Sequence, residues 1–171
     1  MKQKLDIGCG RNKNPEFFGI DINDWPGVDL AWDLEKFPWP IEDSRFDYIK
    51  ATHVVEHIND QVGFFREIHR VAKNNAVVHL ETPHFSSSNS WADPTHVRHF
   101  SLFFTDQMCG DGYLVDATGR FELIGRRVNF GPLFGSMRAR LISSLRGYEK
   151  WERSAFRMPA RNIYIDLKVI K

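Results

Sequence analysis

The chain is 171 residues long, with 23 basic and 22 acidic residues and a formal charge of +1 at pH 7. That length suits one domain, 1–171, whose core needs no covalent staples, and the charge balance excludes a global field that would draw nucleic acid or a membrane surface. Cys9 and Cys109 give no disulfide framework, no apolar run is long enough to span a bilayer, and Met1–Lys4 leads straight into a strand, so the expectation is a cytoplasmic protein with no signal peptide and no stable membrane insertion.

Strand-like runs fall at Lys4–Ile7, Phe17–Asp21, Val28–Asp33, Phe46–Ala51, Ala76–Glu81, Phe121–Asn129 and Ile163–Ile170. The middle ones are almost unbroken apolar runs, as expected of strands buried on both faces. After the first run, Gly8-Cys9-Gly10 makes a turn; glycine is needed there because it has no Cβ and takes positive φ. The clearest helix follows Asn59 or Asp60, either of which can cap it. Val62, Phe65, Ile68 and Ala72 recur at helical spacing, and Asn74-Asn75 is the expected stop. A second helix is predicted to start at Thr105. The segment 131–160 separates the last two strands. In it Met137, Leu141, Leu145, Tyr148, Trp151 and Ala155 recur three or four residues apart, and Arg138, Arg140, Arg146, Lys150, Arg153 and Arg157 outnumber Glu149 and Glu152. This predicts a basic amphipathic insert, interrupted at Gly147. It packs on the sheet with a solvated face, or serves as a lid, a partner surface or a peripheral dock for an anionic lipid or glycan. The last strand alternates and is predicted antiparallel. The fold class is α/β: a doubly wound, mostly parallel seven-stranded sheet with ligands at the strand C-termini.

Asp21 lies eleven residues after Gly10 and closes the second apolar run. A carboxylate there accepts two hydroxyl donors and can grip a ribose diol. The pattern therefore points to a nucleoside cofactor. The third glycine of the dinucleotide fingerprint is missing: Lys13 holds its position, Pro15 follows, and the second strand starts near Phe17. No room remains for a long crossover helix, so a phosphate-bearing cofactor would lose its anion site. That argues against an NAD-dependent oxidoreductase. S-adenosylmethionine carries no phosphate and suits the short crossover.

At these residues the chain resembles a known family. Leu5–Asp21 is similar to the first motif of the class I S-adenosylmethionine-dependent methyltransferases, nearest to the methyltransferase type 11-like branch with a very short first crossover. Phe46–Ala51 with Val54–Ile58 is similar to that family's fourth strand and the turn after it. Arg66–Lys73 is similar to its next helix, and Ala76–Pro83 to its fifth strand. The resemblance implies the strand order 3-2-1-4-5-7-6, S-adenosyl-L-methionine as cofactor, and a cofactor site made of Asp6, Gly8, Cys9, Gly10, Asp21, Ile22, Asp33, Leu34, Thr52 and His53. Asp6 and the glycine turn fall at the methionine end, Asp21 at the ribose, Asp33-Leu34 at the adenine, and Thr52 and His53 near the methyl donor. Asp33 also reads as an ordinary loop acid, and His57 as support for the site or helix packing.

His84 ends the fifth strand, and Asp93, His96 and His99 follow within sixteen positions. Histidine is the side chain best suited to take a hydroxyl proton near neutral pH. These four are the candidate catalytic residues, acting on a small-molecule, sugar or glycan/lipid acceptor. O-methylation is preferred to N-methylation because Ala51-Thr52-His53-Val54 stands where the family carries an amine-binding Asn/Asp-Pro-Pro-Tyr type of motif. No metal is assigned, and activity is expected to survive a chelator. A divalent cation on Asp93, His96 and His99, at i, i+3 and i+6, is the competing reading. A third has Asp93 capping a short helix and the imidazoles bonded to backbone carbonyls. For the whole chain, the competing reading is a non-catalytic S-adenosylmethionine-binding subunit that needs a partner.

Overall fold

The computed structural model describes residues 3–131 and 147–171. Within them seven strands form one sheet: β1 Lys4–Ile7, β2 Phe17–Asp21, β3 Leu30–Ala31, β4 Phe46–Thr52, β5 Ala72–Pro83, β6 Arg120–Asn129 and β7 Asn162–Ile170. Their order across the sheet is β3-β2-β1-β4-β5-β7-β6. Pairing is parallel from β3 through β5, and β7 is antiparallel to both β5 and β6. β1 sits in the middle, hydrogen-bonded to β2 and β4, and its Leu5, Asp6 and Ile7 are buried. Short, apolar and covered, it brings the Gly8 turn to the C-terminal edge of the sheet, where parallel strands open their crevice.

The helices are α1 Gln61–Val71, α2 Ser88–Ala92, α3 Val115–Thr118 and α4 Gly147–Glu152. Asp60, not Asn59, caps α1: its side chain accepts from Gly63 N at 2.8 Å. The Asn59 amide instead reaches Glu35. Helix α1 stops at Val71, short of the predicted Asn74-Asn75, because residues ahead of β4 take its last carbonyls. Ser44 N donates to Arg70 O and Arg45 N to Val71 O. Asn75, at φ 64°, turns the chain within β5. The predicted third strand shrinks to two residues. At its N-terminal side the Asp29 carboxylate accepts from Gly19 N and from Lys13 Nζ, a side-chain answer that ends the ladder. The helix predicted at Thr105 is a single 3₁₀ turn, Asp106–Met108, after which Gly110 and Gly112 bend the chain.

The core is aromatic. Phe65 packs against Phe64, Phe104 and Phe121 with ring centroids 5.7–6.3 Å apart. Trp39 connects this core to the cofactor side of the sheet. Its indole N–H donates to Leu34 O at 3.0 Å and its main-chain N–H to the Glu67 carboxylate of α1 at 2.7 Å.

Of the predicted insert, the part from Gly147 is described. Met137, Arg138, Arg140, Leu141, Leu145 and Arg146 lie outside the described residues. Trp151 and Ala155 are buried, while Lys150, Arg153 and Arg157 are exposed. Glu152 departs from the expected solvated face. Its carboxylate accepts from Ser101 Oγ, from Leu102 N and from His84 Nε2 at 2.7–3.0 Å. Burial opposes its ionised form, yet the bonds from His84, Leu102 and Ser101 outweigh burial and hold its pKa below the ordinary 4.5. A depressed carboxyl stabilises the fold above the unfolded-state pKa, and that contribution is lost as pH falls through the folded value. Glu152→Gln is therefore expected to cost about 1.5–3 kcal/mol at pH 7. In thermal melts the gap between the two proteins should close as pH drops below 4.5. A gap that stays constant with pH would show that the charge does not anchor α4.

Candidate active site

The glycine turn is closed by main-chain bonds: Gly8 N and Cys9 N both donate to Ile20 O of β2. Gly8 and Gly10 sit at φ +63° and +59°. A Cβ on Gly8 would lie 2.3 Å from Val54 Cγ2, so the turn passes directly under the segment that follows β4. Gly10 N donates to Asp21 Oδ2 at 2.9 Å, and Asn23 N donates to Asp21 Oδ1 at 2.9 Å. The Asp21 carboxylate is thus fixed in place at the tip of β2 with lone-pair capacity left over.

A cavity of about 320 Å³ opens here, lined by Gly8, Asp21, Ile22, Asp33, Leu34, Glu35, His53, Val54, His57 and Ile58. Six of the ten residues assigned to the cofactor from sequence line it. Ile22 is 68% exposed, an apolar side chain standing free at the cavity. Asp33 accepts from Glu35 N and faces Lys36 at 4.0 Å. Glu35, at the cavity floor, accepts from the main chains of Asn59 and Asp60. The other assigned residues stand close by. Gly10 holds Asp21, and Thr52 ends β4. Cys9 packs its sulfur against Gly19, and burial pushes its thiol up to about 11, so it is protonated at neutral pH. Asp6 is buried and paired with Lys50 Nζ at 3.0 Å; burial outweighs that lysine and raises its pKa. Its carboxylate is answered from within the sheet.

A second cavity, about 560 Å³, adjoins the first and is lined by His53, His57, Pro83, Asn89, Ala92, Asp93, Pro94 and His96. His53 and His57 belong to both. His53 follows β4 in a left-handed conformation, φ +55°, pinned by its N–H to Glu81 O. Its Nδ1 lies 3.1 Å from Oε1 of Glu56, a carboxylate only 1% exposed. The hydrogen bond that His53 donates to Glu56, ahead of the opposing effect of burial, raises the His53 pKa above 6.5. Glu56 is held in turn by Thr82 Oγ1 at 2.9 Å. Its carbonyl receives Val97 N and Arg98 N, which fastens the 93–98 loop to the turn after β4.

The four candidate catalytic residues separate. His96 and Asp93 line the second cavity. His84 does not: it is fully buried, its Nδ1 is 2.7 Å from Ser86 Oγ and its Nε2 is 3.0 Å from Glu152. His99 does not either. It stacks on Trp91 at 3.6 Å and meets Ser90 Oγ at 2.9 Å. Asp93 holds no imidazole; its Oδ1 accepts from Thr95 N and Thr95 Oγ1, and Oδ2 stands 3.9 Å from His96 Nε2. Asp93, His96 and His99 consequently form no common ligand set. The sequence gives Glu56 no role of its own, and it gives His57 a place either in support of the site or in helix packing. The signal available was the i, i+3 spacing of His53 and Glu56 just beyond a strand end.

A family model described as a methyltransferase domain matches residues 2–115, a span that holds every residue lining the two cavities. The chain belongs to this methyltransferase family. It is an S-adenosylmethionine-dependent enzyme of the class I fold. No curated protein sequence matches the chain. Among solved structures it is similar to a SAM-dependent methyltransferase from Archaeoglobus fulgidus, at 19% identity and TM-score 0.62, covering 96% of this chain and 85% of that one. It is similar to geranyl diphosphate C-methyltransferase from Streptomyces coelicolor, solved with Mg2+, geranyl diphosphate and S-adenosyl-L-homocysteine, at 12% identity and TM-score 0.62, covering 98% and 73%. A Haemonchus contortus phosphoethanolamine N-methyltransferase is similar at 17% identity and TM-score 0.56, covering 98% of this chain and 48% of its own. These likenesses concern the fold. One of them is a carbon and another a nitrogen methyltransferase, so the fold leaves the acceptor atom to the local chemistry. Among the described residues no helix is long and apolar enough to cross a membrane.

Proposed function

We propose that this methyltransferase carries the methyl group of S-adenosylmethionine across the wall shared by its two cavities onto a hydroxyl oxygen of a small-molecule, sugar or glycan acceptor. The observation that carries this reading is His53, which lines both cavities and is oriented by a buried carboxylate. In this reading the adenosine occupies the smaller cavity. Asp21 takes the ribose hydroxyls, Ile22 and Leu34 cover the adenine, Asp33 accepts from its amino group, and the glycine turn runs along the methionine. The acceptor occupies the larger cavity, between His53 and the 93–96 segment.

The sulfonium is already an excellent leaving group. The protein's task is to align donor and acceptor and to remove one proton. With Nδ1–H of His53 donating to Glu56, Nε2 carries the lone pair; the Asn162 amide lies 3.4 Å from it, and the acceptor hydroxyl takes that place when Nε2 receives its proton. The O–CH3 bond forms as the S–CH3 bond breaks, leaving S-adenosylhomocysteine. Glu56 positions the ring, much as an acid positions the histidine of a catalytic triad. Oxygen is favoured over nitrogen because a histidine held by a carboxylate suits removal of a hydroxyl proton, and because Ala51-Thr52-His53-Val54 stands where an amine-binding Asn/Asp-Pro-Pro-Tyr type of motif would lie. The product of labelled methyl transfer, analysed for the atom that carries the label, tests this reading.

A further inference from the structure

We propose that Glu56, His57 and His96 form a binding site for a first-row divalent transition cation at the edge of the larger cavity. One ligand atom from each lies within 4.8 Å of the other two, and His96 Nε2 is 4.0 Å from Glu56 Oε1. Two imidazoles and a carboxylate match the donor preference of zinc and its neighbours, not of magnesium or calcium, which prefer oxygen throughout. Metal–nitrogen and metal–oxygen bonds of about 2.0–2.2 Å place neighbouring ligands roughly 3.3 Å apart, so closure on an ion moves these atoms by about an ångström or less.

The surroundings of the two rings favour a ligand role. Nδ1 of His57 sits 3.1 Å from Thr95 O, and Nδ1 of His96 sits 3.1 Å from Ser90 O. A carbonyl only accepts, so each ring carries its proton on Nδ1 and keeps its lone pair on Nε2. Metal-binding histidines are held in this way, with the outer nitrogen donating to a backbone carbonyl. The rings meet edge to face, centroids 4.7 Å apart. Glu56 is braced by Thr82 through its other oxygen, as ligating carboxylates are. Residues 56–57 and 96 are distant in sequence, yet the main-chain bonds from Val97 N and Arg98 N to Glu56 O bring their segments together. Sequence spacing suggested a different trio, Asp93, His96 and His99, in which His99 turns away to Trp91.

Three protein ligands leave a coordination position free, and His57 and His96 both line the larger cavity. A cation there would meet an oxygen of whatever lies in that cavity. The site shares the Glu56 carboxylate with His53, and it does not depend on which acceptor atom is methylated.

Titration of the full chain, freed of metal by a chelator, with Co2+ tests it. Visible absorption reports nitrogen and oxygen coordination directly, and calorimetry with Zn2+ gives stoichiometry. One saturable site per chain is expected, with visible bands. Binding should weaken roughly 100-fold or more in His96→Ala and likewise in His57→Ala, beyond the 10–100-fold typical of losing an outer partner. His79→Ala, a histidine on β5 paired with Asp166 outside the cluster, should bind as the parent does. S-adenosylhomocysteine binding by His96→Ala checks that the variant is folded, since His96 does not line the cofactor cavity. The absence of saturable binding overturns the proposal. So does binding that survives both histidine replacements in folded protein.

Discussion

Asp21→Ala is expected to weaken S-adenosylhomocysteine binding by roughly 100-fold or more, because each hydrogen bond to a charged group contributes about 1.5–3 kcal/mol and the diol offers two donors. The same carboxylate accepts from Gly10 N and Asn23 N, so alanine also releases the turn that borders the cavity. Asp21→Asn separates these effects. It keeps a side chain of the same shape but removes the charge and leaves one acceptor oxygen, which serves Gly10 N or Asn23 N and not both, and should lose about tenfold. Calorimetry on both variants, each checked for an intact melting transition, measures the series. A dissociation constant unchanged in Asp21→Ala would remove Asp21 from the cofactor site.

The second large effect is kinetic. His53→Gln keeps a polar side chain of similar reach, yet supplies no base at neutral pH. Methyl transfer should fall by a factor of about 10²–10⁴, the usual contribution of a general base. Affinity for S-adenosylhomocysteine should change only a few-fold, because the proposed adenosine grip lies at β2 and at Asp33-Leu34. Single-turnover rates with saturating cofactor separate the two quantities. A drop in affinity that accounts for the whole loss of rate would make His53 a cofactor contact alone.

The difference between what the sequence shows and what the structure adds follows the range of the interactions. The strand, turn and acid around β1 and β2 are legible because each feature is local. An apolar run, two glycines and Asp21 fall within seventeen residues, and the short crossover leaves few ways to fold them. The same holds for the alternation of β7 and for the heptad-like face of α1. The histidines are not legible in the same way. His84 is carried inside by Glu152, a residue 68 positions away on α4. His99 is claimed by its neighbour Trp91. His53 and His57 gain their place from contacts to Glu81, Asn162 and Thr95, none of them close in sequence. Glu56 shows no role in the sequence, because Thr82 and the 93–98 loop close over it only in the fold. Element ends also depend on distant partners. The stop of α1 at Val71 is set by Ser44 and Arg45, which no pattern within the helix records.

The central claim is transfer to oxygen at the wall formed by His53. The most direct measurement uses S-adenosylmethionine with a labelled methyl group, offered with a panel of matched hydroxyl and amine acceptors. The product's labelled atom is then identified by NMR for the parent enzyme and for His53→Gln. The account predicts label on oxygen in the parent, with formation slowed by about 10²–10⁴ in the variant. Label found on nitrogen or carbon, or O-methylation that proceeds undiminished without His53, would contradict it.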